Sequence, residues 1–317
     1  MLARQLYYSI KPYLNSQLRL ACRRWLVRRQ LRSAGRVWPI LESAGRRPEG
    51  WQGWPEGKRF AFVLTHDVEG QPGLDRVREL AELDLALGFR SSFNFVPEGE
   101  YLSPKELRDW LLAQGFEVGV HDLRHDRNLF QSRKKYQRQA RSINHYLDEW
   151  NATGFRAAFM FHDLDWIREL DIEYDASTFD TDPFEPQPDC MNTIFPFLVP
   201  AKNGRPGYIE LPYTLAQDST LFILLQEQSA EIWQRKLDWV AEHGGMALVN
   251  VHPDYLTFKE KATSGWRYPV ARYLELLRYV DQRYRGEYWN VVPGKLARWF
   301  RAQLPCEQAS LKPKLYY

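Results

Sequence analysis

An α/β fold with a mostly parallel sheet, open or closed into a barrel, is the architecture this sequence predicts. Three observations lead there. Strand-like and helix-like segments alternate from about Trp51 onwards, the pattern of parallel strands joined by crossover helices. Residues 60–64, FAFVL, are apolar throughout, as a strand covered on both faces must be. Ionisable residues then follow several strands directly, and in such sheets functional groups gather at the C-terminal strand ends.

The elements follow in order. FAFVLT is the first strand. Leu74, Val77, Leu80, Leu83 and Leu87 form a stripe at helical spacing, which predicts a helix over 74–87 stopped by Gly88. RSSFNFVP is a second strand closed by Pro97. Ser103 and Pro104, with Glu106 at the capping-box position, predict a capped helix over 103–114. FEVGVH is a third strand, 134–150 a long charged helix, GFRAAF a short strand, and 163–170 a helix before IEYDAS. Pro, Asp and Asn crowd residues 180–208 without periodicity, so that stretch reads as an ordered loop or excursion. A helix over 232–243, the strand MALVNVH and a helix over 268–284 complete the alternation.

The 317 residues suffice for one large α/β domain or two small ones. No apolar stretch approaches the roughly 18–20 residues of a membrane span. No long apolar core follows the N-terminal charges, which argues for a cytoplasmic setting rather than secretion. Cys22, Cys190 and Cys306 are far apart and form no CxxC pair, so neither a disulfide framework nor a zinc ribbon is supported.

The net charge of +3 conceals an asymmetry, because residues 1–50 carry eleven basic residues against Glu42 and Glu49. A solvated helix packed on the domain is the plain expectation for that segment. Peripheral attachment at the inner membrane face comes next, with Leu2, Leu6, Tyr7, Ile10, Leu14, Leu18 and Leu20 as its apolar face. Nucleic-acid binding is least supported, since no binding motif accompanies the charge. Residues 1–50 are therefore expected to be a basic amphipathic appendage, 51–300 the working domain and 301–317 a tail.

Chemistry concentrates at the predicted strand ends. FAFVLT delivers Asp67 and Glu69, FEVGV delivers His121, MALVNV delivers His252, and GFRAAF contains Arg156. In HDLRH, His121 and His125 are four residues apart, a spacing that on a helical turn puts two imidazoles on one face. Two surface histidines are the commoner meaning of such a pair. Its position directly after a buried strand favours a metal, with a carboxylate from another strand as third ligand and one position open for catalysis. Of Asp67 and Glu69, one would then bind the ion and the other accept a proton from activated water. His252 would protonate a departing amine, and Arg156 would hold the basic carboxylate ionised; an ordinary salt bridge is the alternative for Arg156.

THDVE, VHDLRHD, GFRAAF, EYDAS and LVNVH resemble, in order, the five motifs of the polysaccharide deacetylases, carbohydrate esterase family 4, over roughly residues 58–260. The resemblance implies a distorted (β/α)7-type barrel that de-N-acetylates an N-acetylated sugar with a divalent metal, zinc being the expected ion. It implies Asp67 as base, His121 and His125 as metal ligands, Arg156 beside the base, and His252 as acid. Asp175 would orient His252, with Asp180 as competitor. Two departures stand out. The usual motif Thr-Phe-Asp-Asp-Gly has its metal-binding Asp where this chain has Val68, so Glu69, one residue later, is the expected ligand. The usual Arg-x-Pro-Tyr is here Arg156-Ala157-Ala158-Phe159, where Phe159 retains a backbone N–H for the developing oxyanion.

Further residues carry paired readings. His66 and Asp122 could support the ligands or be solvated; His162 could face the pocket or enter a helix. Trp166, Tyr213, Trp266 and Tyr268 are candidate sugar-stacking aromatics, though most of the 12 Trp and 17 Tyr must be packing. Asp218, in ELPYTLAQDSTLF, is a candidate pocket residue. Two other functions compete: hydrolysis of a small non-sugar amide on the same barrel, and a sugar-binding module that has lost catalysis, which Val68 motivates.

Overall fold

The computed structural model describes residues 16–34, 38–187, 189–258 and 265–305. Its helices are Ser16–Ala34 (α1), Val77–Ala86 (α2), Lys105–Ala113 (α3), Arg133–Glu149 (α4), Glu231–His243 (α5), Ala271–Tyr284 (α6) and Pro293–Gln303 (α7), with short helical turns besides. Its strands are Phe60–Val68 (β1), Ser91–Phe95 (β2), Glu117–His121 (β3), Gly154–Arg156 (β4), Tyr174–Asp175 (β5), Phe197–Val199 (β6), Tyr208–Glu210 (β7), Met246–Asn250 (β8), Leu256–Thr257 (β9), Tyr268–Pro269 (β10) and Tyr288–Asn290 (β11). The main sheet runs β1-β2-β3-β4-β5-β7-β6, with β8 against the other edge of β1 and β11 beside the first residues of β1. Only the β6–β7 pair is antiparallel among these neighbours. Beyond β7, the N–H groups of Thr214 and Leu215 donate to Leu248 O of β8 at 3.1 and 3.0 Å. The sheet therefore curls into a distorted barrel, as the sequence predicts.

Strand alternation sorts the side chains. Successive residues point to opposite faces, and two packed clusters result. Phe60, Phe62, Leu64 and Val68 join the larger cluster beneath the helices, whereas Ala61 and Val63 join the one inside the curl. On β8, Ala247 and Val249 belong to the outer cluster and Met246 and Leu248 to the inner one. The interior thus receives Thr65, Asp67 and then Glu69 from β1, and Asn250 and then His252 from β8.

His66, of opposite parity, points away from that interior. It is fully buried, between Val251 O at 3.0 Å and Asp84 Oδ2 of α2 at 3.1 Å, so neither of its predicted roles holds. Asp84 also accepts from Ser91 Oγ at 2.9 Å and Tyr273 Oη at 2.8 Å. One buried carboxylate thus ties β1, β2, α2 and α6 together, and such an acid must be fully hydrogen-bonded.

Other predictions are refined. The helix over 74–87 divides into a turn, Gln71–Leu74, and α2. Helix α3 begins at Lys105 with Pro104, which has no side-chain oxygen, at its N-cap, so Ser103 lies one residue too early and its hydroxyl makes no cap bond. The stretch 180–208 contains β6, and Ile194, Phe195 and Val199 within it are buried in the core. Strand β7, strand β11 and helix α7 lacked a clear periodic signal. No helix among the described residues is long and apolar enough to cross a membrane.

Segment α1 lies against the domain rather than standing off it. Leu20 and Val27 are buried, Arg24 Nε donates to Ile223 O at 2.9 Å, and Gln30 Nε2 donates to Pro183 O at 3.1 Å. Of the apolar face proposed for membrane attachment, Leu20 is consumed in this packing and Leu18 is exposed. Leu2, Leu6, Tyr7, Ile10 and Leu14 lie outside the described residues.

Replacing Asp84 by Ala should lower the unfolding free energy by about 3 kcal/mol, because buried donors lose their acceptor. Urea denaturation of the purified variant tests this, and an unchanged midpoint would show that the three donors find other partners.

Candidate active site

Asp67 is the most constrained group of the interior. It is 2 % exposed. Asn94 Nδ2 of β2 donates to its Oδ1 at 2.8 Å, and Asn250 Nδ2 of β8 donates to its Oδ2 at 2.8 Å. The guanidinium of Arg156, on β4 and fully buried, has Nη1 3.5 Å from Oδ2. Burial alone would raise the carboxyl's pKa. The charges of Arg156, His121 and His252, with the Asn94 hydrogen bond, outweigh it and hold the group well below the usual carboxylate range. Asn94 itself has room because residue 119 is glycine: a Cβ there would sit 2.2 Å from Asn94 Oδ1.

Glu69 follows Asp67 by two residues and so emerges on the same side, whereas Val68 between them is fully buried in the outer cluster. Tyr255 Oη donates to Glu69 Oε2 at 2.7 Å, and Asp254 Oδ2 accepts from the Glu69 N–H at 2.9 Å. Asp254 Oδ1 also accepts from Gly70 N at 2.9 Å and Gly73 N at 3.2 Å, which fixes the turn after β1. Burial opposes ionisation of Glu69, but His125, His252 and the Tyr255 hydroxyl hold its pKa well below the ordinary value. The turn 253–255 was not singled out in the sequence; its signal is the Asp254-Tyr255 pair directly behind His252.

The two predicted imidazoles meet Glu69, though not on a helix. Asp122, His125 and Arg127 have φ of 57°, 54° and 66°, so HDLRHDR is a loop with three left-handed residues rather than a helical turn. The loop is held by Asp122 Oδ1, which accepts from Leu123 N, and by Arg124 on Glu98. His121 Nδ1 lies 3.0 Å from Arg156 O. A carbonyl can only accept, so Nδ1 carries the proton and Nε2 is left with its lone pair facing the interior. Burial, acting against the pull of Asp67, lowers the pKa of His121 and favours this neutral form.

The donor set fits a metal. Nε2 of His121 and Nε2 of His125 are buried and have no hydrogen-bond partner. One ligand atom from each of Glu69, His121 and His125 lies within 4.8 Å of the other two. His125 Nε2 is 3.1 Å from Glu69 Oε1 without hydrogen-bond alignment. Two imidazole nitrogens and one carboxylate oxygen are the ligand set of a catalytic zinc-type site, and Nδ1 of His121 has the outer hydrogen bond that such ligands take.

Opposite stands His252. Its Nδ1 is 2.6 Å from Asp218 Oδ1, its N–H donates to Asp218 Oδ2 at 2.9 Å, and Nε2 is 3.8 Å from Glu69 Oε1. Burial disfavours the imidazolium, but Asp218, Glu69 and Asp67 outweigh it and push the pKa up to about 10. Tyr268 Oη donates to Asp218 at 2.9 Å, so Tyr268 positions the acid rather than stacking on a ring. Asp218 is thus the partner of His252, and the expectation for Asp175 is corrected. On β5, Tyr174 belongs to the inner cluster, which turns the adjacent Asp175 to the outer face. There it accepts from Ser177 Oγ at 2.6 Å and lies in register with Glu210. Asp180, its competitor, is paired with buried Lys236.

These groups open onto a cavity of about 960 Å³, lined at its floor by Asp67, Glu69, His121 and His252. Phe159 lines it too, its ring 4.5 Å from that of His125 and 4.1 Å from the Arg127 guanidinium. Tyr213 is buried outside the lining, its hydroxyl 2.8 Å from both Asp182 and Glu185, which corrects its expected place against substrate. Trp166 packs on Phe130 and Tyr136, and Trp266 against the core. His162, with Nδ1 3.0 Å from Met160 O, is likewise outside the lining. Helix α1 supplies one wall, through Arg23, Val27, Gln30 and Ala34 among others, so residues 16–34 border the site instead of forming an appendage.

No protein-family model matches the chain, and no curated protein matches it. Among solved structures it is similar to a Mycobacterium smegmatis protein provisionally named a polysaccharide deacetylase, with 17% identity and a TM-score of 0.61, over 85% of this chain and 99% of that one. More remote is the chitin deacetylase of the fungus Colletotrichum lindemuthianum, with 14% identity and a TM-score of 0.47 over 76% of this chain and 88% of that one. A peptidoglycan N-acetylglucosamine deacetylase, Bc1960, stands at 11% and 0.46, over 77% and 90%. These two are too distant to add to the first.

Tyr255→Phe should weaken zinc binding about tenfold by freeing Glu69. Competition with a chromophoric chelator measures it, and an unchanged affinity would show that Asp254 alone fixes the ligand. The raised pKa of His252 predicts stability that is fully present below about pH 6.5 and lost as pH rises through about 10. In metal-free protein, Asp218→Asn should remove most of that pH dependence in urea unfolding at pH 6, 8 and 10. Parallel curves for the two proteins would assign the dependence to other groups. In fold, the chain is similar to the Mycobacterium smegmatis structure over 85% of its length.

Proposed function

We propose that the protein de-N-acetylates an N-acetylated amino sugar in a glycan or glycan precursor, using a divalent metal. The observation that carries this reading is the convergence of Glu69, His121 and His125 as a ligand set with Asp67 and His252 on one cavity floor. A metal held by the three ligands would act as a Lewis acid, making water acidic near neutral pH and drawing charge toward the acyl oxygen.

The remaining work falls to side chains. Asp67, kept ionised by Arg156 and oriented by Asn94 and Asn250, accepts the proton of the attacking water at its carboxylate. His252, protonated at neutral pH through its bond to Asp218, offers the Nε2 proton to the leaving amine. The two tasks are separable because the surroundings drive the two pKa values apart, down for the acid and up for the imidazole. Phe159 borders the space where the acyl group would lie. The ligand set also weighs against a module without catalysis, since Glu69 supplies the carboxylate that Val68 lacks.

Acetate release from a panel of N-acetylated glycans, with zinc or another divalent ion added, tests the reading. Asp67→Asn should lower kcat by roughly 10²–10⁴, the usual contribution of a general base. Turnover of small amides with no release from any sugar would overturn the sugar assignment, and full activity of the variant would overturn the role of Asp67.

A further inference from the structure

Deacylation as proposed leaves one wall of the cavity without a task. Helix α1 presents Arg23, Leu26, Val27, Arg29 and Gln30 to it, and the helix is anchored by residues that alternate with these. Arg24 donates to Ile223 O and Gly265 O, both at 2.9 Å, and Arg28 donates to Gln226 Oε1 at 2.8 Å. Anchoring thus uses one pair of arginines and leaves Arg23 and Arg29, both exposed, along the opening. Arg29 also lies 5.7 Å over the exposed ring of Trp25. Arg127, packed on Phe159, adds a third guanidinium from the metal-ligand loop. Between them are apolar surfaces from Leu26, Val27, Pro183, Phe184 and Leu224.

Among the acids on the same cavity, Glu185 offsets part of this charge through Arg23. Asp67 faces buried Arg156, and Glu69 belongs to the ligand set. Glu185 is buried and accepts from Tyr213 Oη at 2.8 Å and from Gln217 Nε2. Guanidinium groups match phosphate oxygens in a planar, paired geometry that neutral sugar hydroxyls do not require. At about 960 Å³ the cavity is at the upper end of the range for sites that enclose a discrete molecule, and α1 walls one side of it.

We propose that the substrate is an N-acyl amino sugar bearing a phosphate or diphosphate, with Arg23, Arg29 and Arg127 binding the anionic group while the amide reaches the floor. This specificity rests on the deacylation reading. The apolar wall accommodates what lies beyond the phosphate, a polyprenyl chain or a nucleoside.

Calorimetric titration of the metal-stripped full-length protein compares N-acetylglucosamine 1-phosphate with N-acetylglucosamine. The phosphorylated sugar should bind at least about tenfold more tightly, and Arg23→Ala and Arg29→Ala should each reduce that preference by about tenfold. Arg32→Ala, exposed on the same helix outside the lining, serves as control and should keep the preference. Equal affinity for the two sugars, or a preference untouched by both variants, overturns the proposal. With divalent metal added, acetate release from UDP-N-acetylglucosamine and from a detergent-solubilised polyprenyl diphosphate N-acetylglucosamine distinguishes the two sources. Release from neutral chitotriose at equal or greater kcat/KM overturns the substrate class and leaves the deacetylase reading standing. Arginine-dependent phosphosugar binding with no release from any compound overturns the deacetylase reading and keeps the anionic site.

Discussion

A carboxylate taken out of water must be given back its hydrogen bonds and an opposing charge, and Asp67 imposes that demand on the whole interior. Its partners come from three different strands: Asn94 from β2, Arg156 from β4 and Asn250 from β8. Those strands must therefore keep their relative heights, and Gly119 on β3 must remain without a side chain for Asn94 to reach across. Arg156 returns the constraint to β3, because its carbonyl fixes the tautomer of His121. The proposed base, the proposed ligand and the barrel register are one problem solved by one set of contacts.

How much of this can be read from the chain depends on the period of the element. Strand alternation is local, so the apolar run before Asp67 already indicated a strand delivering acids to one end of a sheet. The same alternation supports Glu69 rather than Val68 as the proposed ligand: positions two apart share a face, and Val68 is directed into the helix layer. It also shows why EYDAS misled. Motif order pointed to Asp175, but Tyr174 takes the inner face, and the neighbouring acid is turned outward toward Ser177 and Glu210. Asp218 was legible only as a pocket residue, since its bond to His252 spans 34 positions.

Other features left no local trace. A histidine pair four apart suggests a helical face, yet three left-handed residues in the loop bring the imidazoles together by another route. The hydroxyl of Tyr255 and the carboxylate of Asp254 meet Glu69 across more than 180 positions. The basic charge of residues 1–50 was plain in the composition, but charge alone does not say what a helix leans on. Only the three-dimensional arrangement assigns Arg24 to anchoring and Arg23 to the opening.

The docking of α1 has a consequence for the order in which the molecule becomes complete. Its seat is formed by Ile223, Gln226 and Gly265, and the bond from Arg24 to Ile223 closes a loop of 199 positions. Contacts of such separation require loop-closure entropy to be met first. Of the described helices, the first along the chain is thus the last to find its place. Until Gly265 has emerged, a nascent chain can already hold its acids and imidazoles in strand register while the chamber above them lacks a side.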